Sequence, residues 1–176
     1  VYVVGQTFGD LGASEYYSYI GEKTRGKSFI GNEVPKVDEN KAKGLYRAMS
    51  QAIDMEIVHS SHTPTLGGLG VALAITSFAG GYGIDADLRK VPYHGKNRDD
   101  YVLFSESNSR FIVTISKENR RAFEKIMGEN AYGLIGTVIE QPFLRIKGLN
   151  GDYVVDININ YLKESWKKPL RMHVST

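Results

Sequence analysis

Three short stretches of this chain hold glycine, hydroxyl and charged side chains in an order that could handle an anion. The first is Gly12-Ala13-Ser14-Glu15. A glycine beside small residues lets the backbone come close to a ligand. Ser14 then stands where a helix begins, and the unpaired N–H groups of a first turn attract negative charge. The same pattern also makes a plain capping turn. The second stretch, His62-Thr63-Pro64-Thr65-Leu66-Gly67-Gly68-Leu69, leads from a strand into an apolar helix. Gly67 and Gly68 expose backbone donors suited to phosphate, or, with Gly70, let a helix lie close on a sheet. His62 is placed to bond a ligand or move a proton near neutral pH, although a loop histidine serves equally as structure. His59 is a further candidate, but no zinc-type spacing accompanies the pair, so no metal site is expected.

The third stretch is Phe104-Ser105-Glu106-Ser107-Asn108-Ser109-Arg110. Polar residues at the end of a core strand often line a binding crevice. Glu106 and Arg110 pair with each other, or Arg110 grips a carboxylate or phosphate with two nitrogens. The candidate ligand-binding residues are therefore Gly12, Ser14, Glu15, His62, Gly67, Gly68, Ser105, Glu106 and Arg110. No catalytic residue is assigned, since neither a Walker-type phosphate loop nor a Gly-x-Ser-x-Gly elbow occurs. Tyr16, Tyr17, Tyr19 and Tyr46 read as core or interface residues. Lys163, Lys167, Lys168 and Arg171 read as a solvated tail.

The elements that must position these stretches follow from periodicity. Residues 1–4 read as a strand and 14–20 as a short helix, with a loop over 23–37 broken by Gly26, Gly31 and Pro35. Asp38 caps the clearest helix, in which Ala42, Leu45, Tyr46, Met49 and Ile53 share one face. Residues 56–60 read as a strand and 66–79 as a helix apolar nearly all round, destined for the core. A strand over 82–88 and a polar loop over 89–100 come next. Phe111-Ile112-Val113-Thr114-Ile115 is the strongest strand pattern. Ser116 caps a helix over 117–127. Residues 132–139 and 143–146 read as paired strands, 148–151 as a turn, 153–157 as a last strand and 161–166 as a terminal helix. The pattern predicts an α+β domain, a mixed β-sheet flanked by α-helices.

The chain has 176 residues, enough for one compact domain over 1–176. With 22 Lys+Arg against 20 Asp+Glu, the net charge of +2 gives no reason to expect a nucleic-acid partner. No apolar run is long enough to span a bilayer. The absence of cysteine excludes disulfides, thiolate metal sites and a cysteine nucleophile, and suits a cytoplasmic protein. The β-rich opening Val1-Tyr2-Val3-Val4, without a start methionine, reads as the beginning of a fragment of a larger enzyme.

The order of the motifs carries a resemblance. Gly5-Gln6-Thr7 followed by Leu11-Gly12-Ala13-Ser14-Glu15-Tyr16 resembles the opening of the second C-terminal-type domain of phosphoribosylformylglycinamidine synthase. His62 to Leu69, continuing Val71-Ala72-Leu73-Ala74, is similar to that family's His-Asp-x-Ser-x-Gly-Gly-Leu-Ala-Val-Ala-Leu-Ala. Leu103 to Ser107, then Ser109-Arg110-Phe111, is similar to its Leu-Phe-Ser-Glu-Ser-x-x-Arg-Phe. Gly133 to Val138 matches the strand after its last long helix. The likeness runs from Gly5 to about Ile157. There are departures: Thr63, Thr65 and Leu66 replace the family's Asp, Ser and second acid, and Ala13 replaces a glycine.

The resemblance implies an α+β sandwich like the C-terminal domain of AIR synthase. It implies a parent enzyme in which ATP and Mg²⁺ activate the amide oxygen of formylglycinamide ribonucleotide. Ammonia drawn from glutamine then displaces phosphate to give the amidine. The implied partners are upstream ATP-binding domains of the same chain, a glutaminase subunit and a small bridging subunit. The fragment alone is expected to be inactive and to bind neither ATP nor Mg²⁺. The alternatives are the corresponding domain of aminoimidazole ribonucleotide synthetase or thiamine-monophosphate kinase, or a non-catalytic structural module.

Overall fold

The computed structural model describes residues 1–171, so the side chain of Arg171 and residues 172–176 lie outside it. The central strand is β1 (Tyr2–Val4), and its sequence explains its place. Successive strand residues face opposite ways. Tyr2 and Val4 join a core with Leu45, Ala48, Met49, Ala52, Phe123 and Met127. Val1 and Val3 join a second core on the other side. A strand buried on both faces needs an uninterrupted apolar run, and β1 is one.

The first sheet runs β3 (Val58–His62), β6 (Phe111–Ile115), β1, β7 (Tyr132–Leu134), all antiparallel. One face is covered by α2 (Glu39–Asp54) and α5 (Arg120–Met127). Asp38 caps α2 as its sequence predicts, accepting the N–H of Lys41 at 3.2 Å. Ser116 accepts the N–H of Asn119, and α5 begins just after, at Arg120.

The second sheet runs β10 (Tyr153–Asn158), β9 (Phe143–Lys147), β4 (Gly83–Asp87), β8 (Gly136–Ile139). It is mixed, because β4 and β9 are parallel. Ile84, Ala86, Leu144 and Ile146 alternate into the core shared with β1, α3 (Gly68–Gly80) and α4 (Asp99–Phe104). The terminal helix α6 (Ile159–Arg171) packs on α3, so its lysines decorate a docked helix rather than a loose tail. β2 (Thr7–Phe8) and β5 (Tyr93–His94) form a separate small parallel pair. The helix α1 (Glu15–Arg25) follows β2.

The α+β class holds, but the sheet divides in two. Residues 132–139 form two strands: Ile135 breaks the run where the chain passes from one sheet to the other. The N–H groups of Ile135 and Gly136 both donate to the Val1 carbonyl, at 3.0 and 3.3 Å. Strands β8 and β9 do not pair; both flank β4. The polar stretch 89–100 contains β5 and the start of α4. Leu66, read as part of the buried helix, is exposed and precedes it. The Val1 nitrogen donates to the Gly136 carbonyl at 2.8 Å. Among the described residues no helix is long and apolar enough to cross a membrane.

Candidate functional site

The structure brings two of the three stretches together through the third. Ser14 is the N-cap of α1, its hydroxyl accepting the N–H of Tyr17 at 3.2 Å and donating to the Leu11 carbonyl at 2.7 Å. Gly67 is the N-cap of α3, in the left-handed region at φ 80°. Between the two helix starts lies the carboxylate of Glu106. Its Oε1 accepts the N–H of Glu15 at 3.0 Å and the N–H of Gly67 at 2.8 Å. The acid of the third stretch therefore joins residues 91 and 39 positions away.

Glycine is required at Gly68 for two reasons. Its φ is +64°, and a Cβ there would meet the Ser105 carbonyl at 2.5 Å and the Leu103 carbonyl at 2.9 Å. The start of α3 thus lies directly against the end of α4. At the first stretch the loop over residues 26–37 folds back. The N–H of Gly12 donates to the Glu33 carbonyl at 2.8 Å, and that of Ala13 to the Ile30 carbonyl at 2.6 Å. Ala13 keeps a left-handed φ of 60°, the conformation that suits the glycine which the motif carries at this position.

Arg110 corrects an expectation. It is wholly buried, with 0% exposure, so it faces no open crevice. Its Nε donates to the Ser107 carbonyl at 2.9 Å, one terminal nitrogen to Thr7 Oγ1 at 3.1 Å and the other to the Ser105 carbonyl at 2.7 Å. It grips backbone oxygens, which hold charge-assisted hydrogen bonds well. Burial lowers its pKa to about 10, opposed by the charge of Glu106. Arg110 therefore stays charged at neutral pH. No direct ion pair joins it to Glu106, whose carboxylate turns to the helix starts instead. The hydroxyl of Ser105 is enclosed and has no hydrogen-bond partner among the described residues, while its carbonyl serves Arg110. His62 ends β3, partly buried opposite Ile112, and among the described residues no hydrogen bond or ion pair holds it. No group of three or more His, Asp and Glu among the described residues is arranged to hold a metal.

A separate open cleft of about 800 Å³ meets the motifs only at Gly5-Gln6 and Asn108-Ser109. It is walled by Gln6 and Asp10 beside β2, residues 32–38, the first turn of α2, and the turns at Asn108–Ser109 and Glu129–Ala131. Asp10, Glu33, Asp38 and Glu129 line it together with Lys36 and Lys41. Burial raises the Asp10 pKa, repulsion from Glu33 adds to this, and Lys36 opposes it. Four separate segments contribute: Gly5-Gln6 belongs to the opening motif and Asn108-Ser109 to the third stretch, while of the rest only Asp38 was legible, as a helix cap.

A four-stranded antiparallel sheet under two helices, joined through a common core to a mixed sheet, defines an α+β sandwich with a serine-capped and a glycine-started helix meeting at Glu106. The chain belongs to the family of AIR synthase related proteins, C-terminal domain, whose profile matches residues 1–148. Phosphoribosylformylglycinamidine synthase subunit PurL of Alkaliphilus metalliredigens is 32% identical over 173 residues, covering 97% of this chain and 22% of the relative. The same subunit from Limosilactobacillus reuteri is 32% identical over 170 residues, with 97% and 21% covered. The chain thus spans about a fifth of the length of these curated relatives. Among solved structures, Thermotoga maritima PurL complexed with FGAR superposes with a TM-score of 0.75 at 22% identity, over 92% of this chain and 27% of that one. Escherichia coli HypE superposes with a TM-score of 0.60 at 18% identity, over 88% and 48%. These likenesses establish a shared fold.

Proposed function

We propose that this chain is the C-terminal-type domain of a phosphoribosylformylglycinamidine synthase and forms one wall of its assembled structure. The observation that carries the reading is the 32% identity to PurL subunits across 97% of the chain. It is supported by neighbours of the same fold described as PurL complexed with FGAR and with ATP. In the proposed parent, ATP activates the amide oxygen of formylglycinamide ribonucleotide, and ammonia from glutamine displaces phosphate. A solved neighbour titled PurLQS from T. maritima supports a multi-subunit parent, with glutaminase and bridging subunits, in the cytoplasm.

The reading assigns ATP and Mg²⁺ to other domains of the parent enzyme. It assigns Gly12, Ser14, Glu15, Gly67, Gly68, Ser105, Glu106 and Arg110 to holding the domain's helix starts in place, and leaves His62 as a candidate contact at a strand end. The test is an assay of the full parent protein with ATP, formylglycinamide ribonucleotide and glutamine. Substrate-dependent release of phosphate is expected, and the 176-residue chain alone should give none. A parent that releases no phosphate with this substrate overturns the reading.

A further inference from the structure

The first turns of α1 and α3 aim backbone N–H groups at one small space, and Arg110 is buried beside it. Helix starts carry partial positive charge. A guanidinium that keeps its proton adds a full one. Neutral oxygens alone meet Arg110's hydrogen bonds. The region therefore calls for an anion, and Glu106 supplies it.

We propose that Glu106 is a built-in anion, occupying the place that a ligand phosphate would take between these helix starts and so closing it to phosphate. Three observations converge on this. One carboxylate oxygen serves both helix starts. The neighbouring donors of Gly12 and Ala13 are taken by the carbonyls of Glu33 and Ile30. The backbone of residues 103–105 presses on Gly68, so the start of α3 is held against the end of α4 beside the Glu106 carboxylate. A phosphate entering here must displace Glu106 and undo the link between α1 and α3. Closure and phosphate binding are mutually exclusive. The inference rests on geometry and goes beyond the proposed parent activity, whose failure would leave it standing.

Thermal unfolding of the chain tests it, in sodium phosphate and in sodium chloride at matched ionic strength. Glu106→Ala should unfold roughly 5–10 °C lower than the wild type. Inorganic phosphate should restore part of that loss saturably, while giving the wild type no saturable gain. Three results each overturn the proposal: an unchanged midpoint in Glu106→Ala, no recovery with phosphate, or an equal phosphate gain in the wild type. Should Glu106→Ala fail to fold, Glu106→Gln decides, since it keeps the shape without the charge. Amide hydrogen exchange at Glu15 and Gly67 should then speed up together, by roughly tenfold, with the middles of α1 and α3 unchanged. Unchanged protection at those two amides overturns the proposal.

Discussion

The junction of helix starts and the open cleft are both concave, yet they are completed differently. At the junction the donors of Gly12, Ala13, Glu15 and Gly67 and all three guanidinium nitrogens of Arg110 have partners within the chain. In the cleft, Lys41 meets Asp38 only at 3.6 Å, with both side chains more than half exposed. Asp10, partly buried near Glu33, has its pKa raised by desolvation and then by that charge. The difference teaches that a motif's chemistry and its availability are separate matters. Glycine, serine and acid at helix starts can serve a ligand or serve one another, and here they serve one another. The cleft, which the motifs touch only at Gly5-Gln6 and Asn108-Ser109, keeps open space beside charged side chains.

Substitutions can break or sharpen this contrast. Arg110→Ala should have the largest effect. It strands the carbonyls of Ser105 and Ser107 and the hydroxyl of Thr7 inside the protein. A loss of about 3–5 kcal/mol is expected by urea unfolding, and a loss under about 1 kcal/mol would mean that the junction is not closed as described. Gly68→Ala comes next, at about 2–4 kcal/mol, from left-handed strain plus the clash with residues 103–105.

Ala13→Gly should stabilise the protein by about 1 kcal/mol, because glycine adopts a φ of 60° without strain. A shift in the unfolding midpoint measures it, and destabilisation would contradict the assigned conformation. Lys41→Ala should change stability by less than about 0.5 kcal/mol, as exposed ion pairs contribute little. A larger loss in urea would show the cleft to be more tightly built than its wall suggests.

Much of the fold was legible in local pattern. The two-faced apolar run of β1, the capped amphipathic α2 and the strand β6 follow from residue spacing. The division into two sheets was not legible, because strand partners are chosen by distant residues. Nothing in the run from Tyr132 to Ile139 marks Ile135 as a crossing point; the Val1 carbonyl does that from 134 positions away. The helix α4 has only six residues and draws its order from burial of Tyr101, Val102 and Leu103. At the candidate site, the order of motifs made the convergence of the two helix starts legible. The direction of the Glu106 carboxylate was not, since an acid in a polar turn reads alike whether it faces a ligand or its own backbone. Arg110 misled for a related reason: its type fits phosphate, while its neighbours Thr7, Ser105 and Ser107 already supply every oxygen it meets.

The outer edge of β3 has no strand beside it among the described residues. An unpaired edge is a template on which another chain can extend the ladder. This one is His59-Ser60-Ser61-His62, polar along its length, with its pairing to β6 shifted at His59. Aggregation by strand addition is therefore discouraged where it would otherwise start, and replacing Ser60 and Ser61 with valines would remove that protection and lower the concentration at which the protein stays dissolved.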